Sequence, residues 1–364
     1  MNSNLNNHIK NNTKKLLLIL LVMIIIIICL KYNIIIFYTY LIGAPRYKFV
    51  TKWQIPYDMN VDQFAIDTKG YIYLAYNIFI DKDNNDACIK KFDSNGHFIK
   101  KWDMLKNGLN QFCPVISGIS SDSKDNIYVL DNNNYTIQKF TSDGDFICFL
   151  CKKREIFPKK AFVEKIAIDT EGNIFITSPY SLIYKLDSND NLKTKWKVQR
   201  DISDIKLDSQ GNVYVASSRD YWPGVDESDD LDDVENFGIG VDCVDIDLQK
   251  TANENNITYD SCVNKFDSSG KILSRIYNVK KKTKSRISHI MLDSHNRLFV
   301  TECHKHRIII YDNKGNIIGK FHPEGFKKEQ FKDWDWINIA IDREDNIYLL
   351  EYRSNFIYKF SPKH

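Results

Sequence analysis

Residues 119–144 read ISSDSKDNIYVLDNNNYTIQKFTSDG, and this stretch decides the fold. It starts with a short alternating segment, turns at Asp122, continues as an Ile-Tyr-Val strand, and ends with a third strand and a second turn. Alternation of period two predicts β-strands, and short polar turns between such strands predict hairpins. One stretch of this kind is weak evidence, so its recurrence along the chain carries the argument.

The same pattern occurs in six copies, each with an aspartate in its first turn. These anchor aspartates are Asp67, Asp122, Asp169, Asp208, Asp293 and Asp342. Most are roughly 40–55 residues apart, enough for the four strands of one propeller blade. The interval from Asp208 to Asp293 holds one repeat plus an insertion of roughly 40 residues. The sequence therefore predicts an all-β fold, a six-bladed β-propeller of four-stranded antiparallel blades.

Eleven turns of this type occur, and the fourth residue of each must accept a positive φ angle. That residue is Gly70, Gly96, Gly144, Gly172, Gly211, Gly270 or Gly315 in seven turns, and Asp125, Asp190, Asn296 or Asp345 in four. Glycine, asparagine and aspartate are the residues that best tolerate the left-handed region. Agreement among eleven turns makes the hairpin prediction strong.

The ends of the repeat region predict how the ring closes. The last copy stops after its third strand, FIYKF at 356–360, whereas KFVTKWQI at 48–55 is a strand with no preceding blade. The latter resembles two fourth strands, HFIKKWD at 97–103 and NLKTKWKV at 191–198. We therefore expect 48–55 to supply the outer strand of blade six, which removes an exposed sheet edge.

The repeat resembles that of the NHL-repeat six-bladed β-propellers over about residues 48–361. The resemblance is carried by Val129-Leu130-Asp131 with Ile137-Gln138-Lys139-Phe140, and by Thr301-Glu302 with His306-Arg307-Ile308. Three blades depart from it, because Tyr76, Ser178 and Ser217 occupy a position that is acidic in the family pattern. The resemblance implies a fold but no single function, since the family includes binding modules, receptor sensor domains and a few lyases.

The N-terminus is predicted to be a membrane segment. Residues 16–30, LLLILLVMIIIIICL, carry no charge, but they cover only about 22 Å as a helix, so the span must continue to roughly residue 37. We predict a disordered polar tail at 1–15, a transmembrane signal-anchor at 16–43 and the propeller at 48–364. A cleaved signal peptide is the alternative, although its site near Gly43-Ala44 would directly precede Pro45.

The orientation of this segment is less clearly encoded, because lysines and arginines flank it on both sides. A short polar tail ahead of a single span usually stays in the cytoplasm, so we expect a single-pass membrane protein with an extracytoplasmic propeller. Seven of the eight cysteines follow the span at irregular spacing, which does not suggest a disulfide framework and argues weakly against that orientation. We expect a monomer.

Composition restricts the function classes. Apolar residues make up 43% and charged residues 27% of the 364 residues, which is ordinary for a globular protein. The net charge of +3 argues against a uniformly basic nucleic-acid binder. No P-loop, dinucleotide-binding fingerprint, HExxH or GxSxG motif is present. No cofactor is predicted, and catalysis is neither required nor excluded.

The topology places candidate binding residues at one end of the channel. All short turns join the first to the second and the third to the fourth strands, so they share one rim, here called the turn rim. Every long segment, including 77–87, falls on the opposite rim, the loop rim, where binding is usually built. Four residues before the anchors stand Gln63, Gly118, Lys165, Asp204, His289 and Asn338. These ring residues could converge on a small ligand, or simply meet water.

A second candidate surface is the insertion at 218–261 in blade four. It contains a strongly acidic stretch, DESDDLDDVENFGIGVDCVDID, and the basic link KKKTKSR at 280–286 lies in the neighbouring blade. The two segments either neutralise each other or form a docking site for a protein partner, with Tyr221, Trp222 and Phe237 as contacts.

Metal sites are only weakly suggested. Asp81-x-Asp83-x-Asn85 begins like a calcium loop, but Asp86 and Phe92 replace its glycine and closing glutamate. A divalent cation such as calcium therefore stays an open alternative. Cys148-x-x-Cys151 has redox or metal spacing but lies in an alternating strand, and Cys303-His304-Lys305-His306 lacks a matching pair.

The lead hypothesis is a membrane-anchored binding or sensor module that takes a protein or other ligand through its loop rim and channel mouth. The alternative is an enzyme of the propeller lyase or lactonase kind, which would need a divalent metal or an acid–base pair in the channel. Nucleic-acid binding through the basic link is a third, weaker reading.

Overall fold

Twenty-four strands in the described part of the chain form six separate four-stranded antiparallel sheets. The computed structural model describes residues 45–55, 60–79, 85–105, 114–151, 163–178, 181–198, 201–218, 261–277, 287–302, 307–321, 337–351 and 355–363. Each sheet is one blade of a propeller, so the predicted fold class is confirmed.

The blades follow the chain in order. Blade one is β2 (Asn60–Ile66), β3 (Ile72–Phe79), β4 (Asn85–Phe92) and β5 (Phe98–Asp103). Blade two is β6 (Ile116–Ser121), β7 (Ile127–Asp131), β8 (Thr136–Phe140) and β9 (Phe146–Leu150). Blade three is β10 (Ile166–Ile168), β11 (Ile174–Thr177), β12 (Leu182–Leu186) and β13 (Leu192–Lys197). Blade four is β14 (Asp201–Leu207), β15 (Val213–Ser218), β16 (Ser261–Phe266) and β17 (Ile272–Tyr277). Blade five is β18 (Ile287–Leu292), β19 (Leu298–Glu302), β20 (Arg307–Tyr311) and β21 (Ile317–Phe321). Blade six is β22 (Ile337–Ile341), β23 (Ile347–Glu351), β24 (Phe356–Pro362) and the early strand β1 (Tyr47–Gln54).

The ring closes through β1, as the sequence predicts. The order in blade six is β22-β23-β24-β1, and β1 pairs antiparallel with β24, with Phe49 opposite Phe360 and Trp53 opposite Ile357. The first strands of neighbouring blades lie side by side around the channel, and β22 returns to β2. The outer edge of blade six is therefore covered by a strand from the opposite end of the repeat region.

All eleven predicted turn positions have φ angles between 57° and 91°. In the first turn, the amide of Gly70 donates to the carbonyl of Asp67 at 3.1 Å, and the Asp67 carboxylate accepts from the amides of Lys69 and Tyr71 at 3.0 and 2.9 Å. The aspartate thus satisfies the turn backbone, while the fourth residue supplies the left-handed conformation.

The hydrophobic core is divided into six clusters, each shared by two neighbouring blades. Bulky side chains of the outer strands pack on the turn glycines of the next blade. A Cβ atom added at Gly270 would lie 2.7 Å from the Trp196 ring, and one added at Gly144 would lie 2.6 Å from the Trp102 ring. These turns therefore need glycine for two reasons, the positive φ angle and the closeness of the ring.

The four turn residues that are not glycine have an additional role between blades. The Asp125 carboxylate accepts from the amide of Thr68 at 2.9 Å, and the Asp345 carboxylate accepts from the amide of Ser294 at 2.8 Å. Asn296 and Asp190 accept in the same way from the amides of Ser209 and Cys151, at 3.3 and 2.7 Å. Each departure from glycine thus provides a hydrogen bond to the preceding blade.

The structure corrects one predicted loop and does not describe the predicted membrane segment. The long loop expected at 77–87 is shorter, because β3 extends to Phe79 and β4 begins at Asn85. The antiparallel pairing of β3 with β4 continues to Phe79 and Asn85, beyond the strand ends that the sequence pattern indicated. The predicted anchor at 16–43 lies outside the described residues, and among those residues no helix is long and apolar enough to cross a membrane.

Candidate functional site

The candidate site lies where the first strand of each blade starts at the channel. In four blades this strand has an irregular register at the ring residue: the irregularity ends at Gln63 in β2 and at the ring residues of β6 and β14, and it spans His289 in β18. Such β-bulges bend a strand and redirect its side chains. Because the irregularity recurs at the same position of four first strands, the backbone at the channel mouth departs from regular strand geometry in these blades.

All the ring residues line one cavity of about 170 Å³. Those predicted as ligand contacts are Gln63, Lys165, Asp204, His289 and Asn338, and the structure brings them together there. Lys206 also lines the cavity, and sequence reasoning missed it. The missed signal was simple: side chains alternate along a strand, so a residue two positions after Asp204 faces the same side.

Asp204 is the centre of the site and is only 3% exposed. One carboxylate oxygen accepts from the amide of Ile205 at 2.8 Å and from the Lys206 ammonium at 2.7 Å. The other accepts from the amide of Ile290 in blade five at 3.0 Å and lies 3.5 Å from Nδ1 of His289. Both oxygens are thus engaged, and the carboxylate joins blades four and five.

These contacts govern the protonation of the site. Burial opposes ionisation of Asp204, but Lys206, His289 and Lys165 outweigh it and hold the pKa of Asp204 well below its usual range. Burial lowers the pKa of His289, Asp204 acts in the opposite direction, and Lys165 and Lys206 add to the lowering. Neutral His289 beside ionised Asp204 is therefore the expected state at pH 7. Perturbed groups in a cavity mark a candidate functional site.

Several predicted features fall outside the described residues. These are the insertion with Tyr221, Trp222 and Phe237, the basic link 280–286, the segment 303–306 and most of the calcium-like stretch 81–85. The flanking strands of each end at the loop rim, as the topology requires. For these features the sequence prediction stands without a structural description.

The described residues include Cys148, Cys151 and Asn134, the first residue of the glycosylation sequon Asn134-Tyr135-Thr136. Cys148 and Cys151 are unpaired thiols; Cys151 is buried, which raises the pKa of its thiol well above the usual value. A buried thiol of this kind is unreactive. The Asn134 side chain is also buried and donates to the Asp131 carboxylate at 2.7 Å, so it is inaccessible to solvent in the folded chain.

One group of potential metal ligands occurs in the described residues, at the turn rim between blades five and six. Ligand atoms of Asp293, His295 and Asp345 lie within 4.8 Å of one another. However, Arg297 donates to Asp293 at 2.5 Å, and Ser294 donates to Asp345 through both its amide and its hydroxyl. The carboxylates already have partners, so this cluster is accounted for as an interblade contact.

The comparisons with known proteins agree with this architecture. An NHL-repeat model matches residues 115–140, which contain β6, β7 and β8 of blade two. The chain is a six-bladed propeller that carries an NHL repeat. The resemblance inferred from the sequence is thereby confirmed.

Solved structures similar to this NHL-repeat propeller include two of virginiamycin B lyase from Staphylococcus aureus. One is a catalytically inactive variant with quinupristin, and the other is the selenomethionine-substituted protein. Both are 13% identical to this chain. The superposition covers 87% of this chain and 99% of the lyase chain in each case, with TM-scores of 0.52 and 0.51. At this identity the likeness shows the fold alone. No curated protein sequence matches the chain.

Proposed function

We propose that this chain is a membrane-anchored propeller that binds a small ligand at the mouth of its central channel. The observation that carries the proposal is the buried, ionised Asp204 held by Lys206, His289 and two backbone amides beside a cavity. A charge is removed from water only at considerable cost unless several partners compensate it. Polar groups that merely meet water at a channel mouth would stay exposed, whereas Asp204 is almost fully buried.

The proposal predicts that filling the cavity abolishes binding. Ser120 lines the cavity, so Ser120→Phe should place a ring in a volume of about 170 Å³. We expect that single-ring compounds of mixed charge, screened by ligand-observed NMR against the full chain in detergent, will include binders that Ser120→Phe no longer binds. A cavity of this size accommodates about one aromatic ring.

The matched control is Ser123→Phe, because Ser123 is an exposed turn residue only three positions away. It should bind the same compounds as the unmodified chain. Binding that is unaffected by Ser120→Phe, or the absence of any binder, would contradict the proposed function.

A lyase-type enzyme is the second candidate, favoured by the Asp204–His289 pair. If Nδ1 of His289 carries its proton toward Asp204, Nε2 is left as a base, and burial keeps the ring neutral at pH 7. The similar structures of virginiamycin B lyase make such chemistry worth testing on this fold. The same compounds, and quinupristin, can be recovered and examined by mass spectrometry. Conversion that His289→Gln abolishes would favour the enzyme, and unchanged compounds favour binding.

The membrane anchor at 16–43, the extracytoplasmic propeller and a protein partner at Tyr221, Trp222 and Phe237 belong to the same proposal. They are supported by sequence alone. An uncharged stretch of this length is typical of a signal-anchor.

Orientation can be tested with a new glycosylation site. Asn95 is exposed in a turn, and His97→Thr completes an acceptor motif there. In a translation system with microsomes, we expect this variant to carry one glycan more than its parent when Asn256, which opens a sequon in the insertion, is changed to Gln in both chains. The parent Asn256→Gln chain keeps the sequons at Asn11 and Asn134, so the additional glycan of the His97→Thr chain is the readout. If the chain inserts into the membrane but His97→Thr adds no glycan, the propeller lies on the cytoplasmic side and the proposed orientation is wrong.

A further inference from the structure

Charge is unevenly distributed around the channel. Blade three contributes Lys165, blade four contributes Asp204 and Lys206, and blade five contributes His289 to the cavity lining. Among the described residues, blades six, one and two contribute no titratable side chain to this lining; their ring residues are Asn338, Gln63 and Gly118. One half of the cavity is therefore charged and the other half is neutral.

The single carboxylate of the charged half is already occupied. Asp204 accepts from Lys206 and from two backbone amides, and His289 lies against its second oxygen. Because it is only 3% exposed, it offers little to a ligand. Among the described lining residues a cationic ligand would find no available carboxylate, and it would meet two ammonium groups.

The ammonium group of Lys206 can make further hydrogen bonds. A lysine ammonium has three N–H donors, and one of those on Lys206 is directed at Asp204. The Lys206 side chain is 27% exposed, and Lys165 lies close enough to influence the protonation of both Asp204 and His289. With Asp204 ionised and His289 neutral, the lining carries one net positive charge. The site therefore complements one negative charge.

The neutral half has room for the rest of such a ligand. Two residues beyond their ring residues, blades six, one and two place Ala340, Ala65 and Ser120 at the lining. A Cβ atom added at Gly118 would lie 3.1 Å from Cγ2 of Ile166 in blade three, so close packing between these blades keeps this position without a side chain. Small neutral residues on this side and cations on the other define a site with two distinct halves.

We infer that the channel is selective for a small organic monoanion, such as a carboxylate on a single ring, whose charged group lies against Lys165, Lys206 and His289. This inference rests on the proposed channel binding and specifies its ligand class. It does not depend on whether the ligand is later converted.

The test compares three probes of similar size and shape, namely benzoate, benzamide and benzylamine, with the full chain in detergent. We expect benzoate to bind about tenfold more tightly than neutral benzamide, and benzylamine most weakly, because a charge-assisted hydrogen bond is stronger than a neutral one. Ser120→Phe should abolish binding of benzoate. Benzamide or benzylamine binding equally well in the channel would overturn the anion inference and leave channel binding intact. Failure of all three would count against both.

The lysines provide the second arm. Lys206→Met should weaken benzoate about tenfold and benzamide little, whereas Lys124→Met, at an exposed turn, should change neither. If Lys206→Met melts at a much lower temperature than the unmodified chain, Lys165→Met replaces it in this comparison. If the lysine substitutions weaken the binding of benzoate and benzamide equally, the lysines have a structural role and the inference is wrong.

The pH profile supplies a readout that a structural role would not produce. His289 faces Asp204, Lys165 and Lys206, and burial lowers its pKa. A bound anion stabilises protonated His289, so benzoate affinity should rise as the pH falls from 8 to about 6. His289→Gln should flatten this rise. A pH-independent affinity in the unmodified chain would contradict the placement of the anion beside His289.

Discussion

Gly270→Ala is expected to destabilise the propeller by about 2–5 kcal/mol. The positive φ angle of 91° should contribute about 1–2 kcal/mol when a Cβ atom is present. The new Cβ atom would lie 2.7–2.9 Å from three carbons of the buried Trp196 ring, and overpacking of this kind costs about 1–3 kcal/mol more. The melting temperature of the full chain, followed by tryptophan fluorescence, should fall accordingly.

Gly211→Ala is the matched control. Gly211 also has a positive φ angle, 78°, but a Cβ atom added there meets nothing within 4 Å. Gly211→Ala should therefore lower the free energy of unfolding only through the unfavourable positive φ angle, by about 1–2 kcal/mol. The additional loss at Gly270 should shrink when Trp196 is replaced by the smaller leucine, because two residues in contact are coupled. Equal losses in the two glycine variants would show that Trp196 does not restrict this turn.

The turns were predictable because their requirement is local. A hairpin of this length needs a left-handed residue, and the choice of Gly, Asp or Asn records that need at each position. The sequence did not reveal why four turns avoid glycine. The reason lies in another blade: Asp125, for example, accepts from the amide of Thr68, 57 residues away. Such a contact becomes visible only when the blades are placed side by side.

The candidate site was predictable in position but not in its interactions. Counting back from the anchor aspartates found one channel residue in each blade, including Asp204 and His289, because the repeat preserves the position along the strand. The count used one position per strand and so omitted Lys206. It also treated the ring residues as independent, whereas Asp204 links blade four to the backbone of blade five through Ile290. Packing around the ring, rather than periodicity, determines this link.

Asp204→Asn is expected to lower the free energy of unfolding at pH 7 by about 3 kcal/mol, near the lower end of the loss for breaking a buried ion pair. The amide keeps the shape of the side chain but removes the charge that faces Lys206 and His289. The loss should not be larger, because Lys206 is 27% exposed and can reach water in the channel. Denaturant unfolding of the full chain measures it.

The control is Asp103→Asn. Asp103 pairs with Lys101 at 2.9 Å, again two residues apart on a strand, but its side chain is 59% exposed. A surface pair of this kind contributes less than about 1 kcal/mol. If the two substitutions have equal effects, burial does not strengthen the Asp204 pair, and the main support for the channel site is lost.

The pH dependence of this difference tests the charge itself. Because the folded-state pKa of Asp204 lies below 3.8, the unfolded chain takes up a proton before the folded chain does as the pH falls below about 4. The stabilisation by ionised Asp204 is therefore fully present above that pH and is lost under stronger acid. From pH 7 to 5 the difference in unfolding free energy between the unmodified chain and Asp204→Asn should stay constant or widen slightly, because titration of His289 affects both chains. Below pH 4 this difference should become smaller. A gap that stays constant down to pH 3 would mean that the substitution acts through packing rather than through the carboxylate charge.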